Sequence, residues 1–106
     1  MQGSFANMII QKTQEQNTLT ISLEGRLDTS SSPELEDVLD SSLDGIQNLV
    51  FDLSRLEYLS SAGLRVILSA QKRMGQQQGE MKLCHLNDTV KEIFDVTGFS
   101  DFLTIE

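Results

Sequence analysis

The stretch from Leu49 to Leu68 limits the fold more than any other part of the chain. It opens with Leu49, Val50, Phe51 and Leu53, the pattern of a strand buried on both faces. A short polar segment closed by Tyr58 and Leu59 reads as a turn. Ser60 and Ser61 come next. An amphipathic run follows with Leu64, Ile67, Leu68 and Met74 on one side, which is helical spacing. The serines stand where a helix needs an N-cap. The unit is therefore strand, loop, serine pair, helix, with two hydroxyls at the positive end of a helix dipole. Two readings fit it: one serine simply caps the helix, or the site favours a bound or covalently attached anion.

The rest of the chain fits around this unit. Asn7 to Gln14 reads as a first strand, and Glu15-Gln16-Asn17 as a hairpin turn. Thr18 to Glu24 alternates, with Leu19, Ile21 and Leu23 on one face, until Gly25 breaks the pattern. Ser31 and Glu34 have capping-box spacing, and Pro33 suits the first turn of a helix. That helix carries Leu35, Val38, Leu39 and Leu43 inward and ends at Asp44-Gly45. Its acids Glu36, Asp37 and Asp40 form either a docking face or an ordinary solvated one. The second helix runs out at Gly75 to Gly79, and Met81 to Leu86 reads as a fourth strand. Asn87 or Asp88 caps a third helix with Val90, Ile93, Phe94 and Thr97 inward, stopped by Gly98. Phe102 to Ile105 reads as a last edge strand. Crossover helices make strands two, three and four parallel, while the opening hairpin is antiparallel. The expected fold is α/β: a mixed four- to five-stranded sheet with about three to four helices packed on it.

A chain of 106 residues is expected to form one domain, residues 1–106 with an ordered core at 7–106. The net charge of −8 disfavours nucleic acid and anionic membrane surfaces as partners. No apolar run is long enough to span a bilayer, and Met1-Gln2-Gly3-Ser4 lacks the pattern of a signal peptide. One cysteine, Cys84, fits a reducing compartment, so the expected location is the cytoplasm. Cys84 and the sole histidine, His85, are adjacent and make a poor metal pair. A Ser-His-Asp triad could draw only on His85, which nothing places near Ser61. No GxGxxG or Walker A sequence is present. The sequence predicts no catalytic residues, no cofactor and no metal.

Three motifs resemble the STAS domain family, which includes anti-sigma factor antagonists and the cytoplasmic tails of sulfate transporters. They are Gly25-Arg26-Leu27-Asp28, then Asp52-Leu53-Ser54 with Tyr58-Leu59-Ser60-Ser61-Ala62-Gly63-Leu64-Arg65, and Val90 to Phe99. The resemblance implies an anti-sigma factor antagonist. Such a protein, when unphosphorylated, binds an anti-sigma factor that is also a serine kinase, and so releases a sigma factor. A serine phosphatase resets the switch. Aligned on Gly63-Leu64, the family's phospho-acceptor falls on Ser61, with Ser60 as the alternative. Ser60 and Ala62 depart from a common form of the motif, which leaves the acceptor in place. The partner-binding residues implied are Asp28, Ser60, Ser61, Ala62, Gly63 and Arg65. Asp28 either organises the acceptor hydroxyl or forms a turn. Gly63 is expected to let a partner approach closely, so that a leucine there spares the fold. The free chain is expected to be a monomer, without membrane insertion. Two other readings remain: a constitutive STAS scaffold or transporter subunit, and a small-ligand or nucleotide sensor.

Overall fold

A computed structural model describes residues 8–106. Asn7, read as the start of the first strand, and the segment Met1 to Ser4 lie outside the described residues. The elements are β1 (Met8–Glu15), β2 (Thr18–Leu27), α1 (Ser32–Ser42), β3 (Asn48–Leu59), α2 (Ser61–Gln76), β4 (Glu80–Cys84), α3 (Asp88–Thr97) and β5 (Thr104–Ile105). A single 3₁₀ turn, Phe99–Asp101, precedes β5. The sheet has five strands in the order β1-β2-β3-β4-β5. The β1–β2 hairpin is antiparallel and the other pairings are parallel.

This strand order decides where the helices lie. From β2 to β5 each strand is added on the same side of the last. Right-handed crossovers then place α1, α2 and α3 on one face. Burial follows: Leu19, Leu49 and Met81 align across the sheet and are buried, as are Ile21, Phe51 and Leu83 in the next such row. The alternate residues Thr20, Val50 and Lys82 are half-buried. β3 is therefore not buried on both faces, as its apolar run suggested, because no crossover runs behind it. The helices contribute Leu35 and Leu39, Ile67, Ala70 and Met74, and Val90 and Phe94 to one shared core.

β3 also corrects the expected turn before the serines. It stays extended through Leu59 by means of two register shifts against β2. One lies between the pairs Ser22–Asp52 and Glu24–Arg55, the other between Gly25–Leu56 and Arg26–Tyr58. Each shift gives β3 one extra residue, so its buried positions run Leu49, Phe51, Leu53, Leu56, Leu59. The spacing widens from two to three where the bulges lie, and the polar residues between stay outside. Gly25, with φ +104, bends β2 at this point but does not end it.

Other boundaries moved for local reasons. His85 has φ +63, so β4 stops at Cys84 and Leu86 lies beyond it. Asn87 caps α3, accepting from Val90 N at 2.8 Å, and its amide donates to the Leu56 carbonyl at 2.7 Å. Thr97 is exposed, not inward; its hydroxyl donates to the Ile93 carbonyl at 2.7 Å. Gly98 ends α3 in the left-handed conformation, as its sequence position suggested. Of the α1 acids, Asp40 accepts from Arg73 at 2.7 Å and ties α1 to α2. No helix of the described residues is long and apolar enough to cross a membrane.

Ile67 is fully buried in the middle of α2. Ile67→Ala is expected to cost about 2–5 kcal/mol, read as a lower midpoint in urea denaturation. A change below about 0.5 kcal/mol would mean that this helical face does not pack on the sheet.

Candidate functional site

The carboxyl ends of β2 and β3 are level, because Leu27 pairs with Leu59. One residue further on, the Ser60 amide donates to the Leu27 carbonyl at 2.9 Å. This bond turns the chain out of the sheet and into α2. Ser60 keeps extended backbone angles, φ −92 and ψ 176, as an N-cap requires. Its hydroxyl oxygen accepts from the Gly63 amide at 3.4 Å, and its carbonyl accepts from Leu64 N at 2.9 Å. The two serines therefore differ in role. Ser60 is the cap, and Ser61 is the first residue of the helix, exposed, with no hydrogen bond from its hydroxyl among the described residues.

The charge around Ser61 suits an added anion. α2 is 16 residues long and has no acidic residue in its first turn. The amides of Ser61 and Ala62 have no intrahelical acceptor, and the helix dipole is positive here. Ala62 is half-buried, and Arg65 is exposed one turn along. Both line a shallow depression of about 310 Å³ between α1 and α2, with Thr29, Pro33, Glu36 and Val66.

Gly63 corrects an expectation. It is buried, and a Cβ added there would lie 2.6 Å from Leu27 Cγ and 2.8 Å from the Leu27 carbonyl oxygen. Its missing side chain lets α2 start directly against the end of β2. The contact is internal, so a leucine at this position cannot spare the fold.

Asp28 follows β2 directly and organises the turn into α1. Its Oδ1 accepts from Ser30 N at 3.0 Å, Ser31 N at 3.2 Å and the Ser31 hydroxyl at 3.2 Å. The Ser31 hydroxyl shares its single proton between this carboxylate and the Arg26 carbonyl, the nearer acceptor at 2.7 Å, and Ser32 Oγ donates to the Asp28 carbonyl at 2.6 Å. Ser31 and Ser32 are buried by this arrangement. The Ser31–Glu34 capping box therefore does not form: Ser31 flanks the helix, but its hydroxyl points back to β2 and makes no cap bond. Partial burial pushes the Asp28 pKa up, but the amides of Ser31 and Ser30, the Ser31 hydroxyl and the Arg26 charge hold it below the usual aspartate value.

Sequence reasoning did not find two further contacts. The Arg26 guanidinium lies over the Tyr58 ring, 4.4 Å from its centroid, beside the Leu27–Leu59 pair. Only the register of β2 against the twice-bulged β3 makes these residues neighbours, so no local signal marks them. His85 Nδ1 lies 3.2 Å from Asp52 Oδ1, eight positions before Ser60 in the chain. Burial raises the Asp52 pKa, but the Ser54 amide and His85 outweigh it and the net shift is downward.

Two predictions follow from the packing of Asp28 and Gly63. Gly63→Leu is expected to destabilise the protein by at least about 1–3 kcal/mol, since both the Leu27 side chain and its backbone stand in the way. A wild-type thermal melt for this variant would show that α2 does not start against Leu27. Asp28→Asn should lower Tm at neutral pH. The folded-state pKa of Asp28 is depressed, so the stability it gives is present above its unfolded pKa and is lost as pH falls through the folded value. The Tm gap between wild type and Asp28→Asn should therefore close below about pH 4. A gap that stays constant from pH 7 to pH 3 would show that the carboxylate charge contributes nothing to the turn.

A family model for the STAS domain matches residues 9–106. BtrV of Bordetella bronchiseptica, provisionally named an anti-sigma factor antagonist, is 44% identical over 78 residues, 73% of this chain and 67% of that protein. The anti-sigma-B factor antagonist of Staphylococcus aureus is 27% identical over 100 residues, 93% of each chain. Among solved structures, unphosphorylated SpoIIAA, an anti-sigma factor antagonist, superposes with a TM-score of 0.81 at 18% identity, over 92% of this chain and 88% of its own. The phosphorylated form of SpoIIAA from Bacillus gives 0.74 at 17% identity, over 92% and 91%. At that identity the superposition speaks for the fold, while the family match takes in the serine pair and the Asp28 turn alike. The chain belongs to the STAS domain family.

Proposed function

We propose that this chain is an anti-sigma factor antagonist whose binding is switched by phosphorylation of Ser61. The observation that carries the reading is the division of labour between the serines. Ser60 already caps α2, which leaves Ser61 exposed and without a hydrogen bond among the described residues. A hydroxyl used as the cap would have to leave its bond to be modified; Ser61 need not. The relatives named as antagonists, and the existence of SpoIIAA in a phosphorylated form, support the same reading.

The physics of the switch is local. A phosphate adds about −1.5 to −2 charges and three acceptor oxygens. At the start of α2 it meets free amides and the positive end of the dipole, so the fold tolerates it. A partner packed closely over Ser61 would have to desolvate that charge and would be released. The surface such a partner covers is Ser61, Ala62 and Arg65 with the rim of the α1–α2 depression. Asp28 acts from below, by holding the turn that leads into α1. Ser60 and Gly63 belong to the surface only through the backbone, since one caps the helix and the other is internal.

The partners in this reading are an anti-sigma factor with serine kinase activity and a serine phosphatase, all cytoplasmic. The unbound antagonist is a monomer. The protein acts by binding, not by catalysis.

The test uses the chain as bait in its native cells, with the captured kinase then purified. Incubated with that kinase and ATP, the chain should gain one phosphate by intact mass. Ser61→Ala should abolish labelling yet still bind, while Ser60→Ala remains a substrate and loses about 0.5–2 kcal/mol of stability with its cap. Ser61→Asp should weaken binding less than phosphate does, because it adds only one charge and two oxygens. Labelling lost in Ser60→Ala but kept in Ser61→Ala would move the acceptor by one residue. No labelling at either serine would favour a constitutive scaffold.

A further inference from the structure

We propose that Arg26, held over the Tyr58 ring, docks a carboxylate side chain of the anti-sigma partner and fixes how that partner sits over Ser61. The inference rests on the antagonist reading above and names a contact of the same surface. Arg26 and Tyr58 pair directly across β2 and β3, one step before Leu27 and Leu59. Leu27 and Leu59 are buried under the helices, so their neighbours Arg26 and Tyr58 face the open side of the sheet. They stand at its carboxyl rim, next to the Leu27–Ser60 bond that starts α2.

Three features separate this arginine from an ordinary surface charge. First, the guanidinium is 4.4 Å from the ring centroid, and this contact restrains the side chain before anything binds. Ordering a long side chain on binding costs about 0.5–1.5 kcal/mol, and here part of that cost is met in advance. Second, Arg26 is exposed and, although its charge acts on Asp28, it makes no salt bridge among the described residues, a state it shares with Arg65, while Arg55, Arg73 and Lys82 each have a carboxylate partner. The edge of the fork remains open to a planar two-oxygen acceptor. Third, arginine and tyrosine are the residue types in which binding energy concentrates. The ligand is a single carboxylate and not a polyanion, because a chain of net charge −8 repels the latter. A partner that complements this chain is mainly basic, so one acid placed opposite Arg26 sets register and excludes basic surfaces that are wrongly aligned.

The experiment measures the affinity of the purified captured kinase for four versions of this chain by titration calorimetry. Arg26→Glu is expected to weaken binding by about tenfold or more. Arg26→Lys should fall between the two, since it keeps the charge but not the fork. Lys72→Glu makes the same change of charge on α2, about 16 Å along the helix from Ser61, and should alter affinity by less than about threefold. Replacing one Asp or Glu of the kinase with Arg should restore binding to Arg26→Glu. If repulsion from Asp28 unfolds Arg26→Glu, Arg26→Gln replaces it with the same expectation.

Equal losses at Arg26 and Lys72 would overturn the proposal in favour of a general charge effect. So would failure of every acidic position of the kinase to rescue. Arg26→Glu that binds like wild type, while Ser61→Asp is weakened, would remove this contact and leave the phosphorylation switch standing. Wild-type binding by both would remove both.

Discussion

The bond from the Ser60 amide to the Leu27 carbonyl is the constraint on which the site depends. It links the end of β2 to the start of α2, which are 33 positions apart in sequence. The same Leu27 packs against Gly63 with no room for a Cβ. Leu27 thus holds the first turn of α2 from below, through its side chain and its carbonyl at once. The residue after it, Asp28, holds the first turn of α1. One tripeptide, Arg26-Leu27-Asp28, thereby positions two helix starts, and Arg26 adds a charge to the rim. A modest shift at the end of β2 would move all of these together, since interiors packed to this density do not deform smoothly.

Much of this was legible in the sequence and some was not, for identifiable reasons. The strands and helices announced themselves through spacing: Leu19, Ile21 and Leu23 through alternation, and Leu64, Ile67 and Met74 through helical period. The serine pair was visible as a helix start. What distinguishes Ser60 from Ser61 was not, because a cap depends on backbone angles that two adjacent serines could each adopt. The segment Ser54 to Glu57 looks like a turn because three of its four residues are polar, yet it is strand and its Leu56 is buried. Bulges are a property of how β2 and β3 pair, and neither strand encodes them alone. Ser31 and Glu34 have the spacing of a capping box, but Asp28 and the Arg26 carbonyl take the hydroxyl instead. Gly63 looks like an opening for a partner and proves to be an internal contact, because the atom it accommodates lies on a distant strand.

The one-sided arrangement of helices has a physical cost and a use. Half of the sheet surface stays in contact with water, so the core rests on one face and on the helices above it. That face carries paired charges, Arg55 with Glu24 and Lys82 with Glu106, beside the apolar Ile9 and Val50. Such exposed pairs add little stability. They keep much of the uncovered face polar.

The two ends of the sheet also differ in how they are tied. At the amino end, the Asn17 carbonyl accepts from Gln47 and Asn48, the Gln47 carbonyl accepts from Glu80, and the Gln77 amide donates to the carbonyls of Leu43 and Ile46. The three turns at that end are laced into a single rim, the full length of the strands away from Ser61. A dye or an immobilising tag placed on exposed Asp44 or Gln78 would therefore sit on a fixed support, out of reach of anything bound at the serine. The fold supplies its own handle for watching the Ser61 end, with the attachment point at the opposite pole.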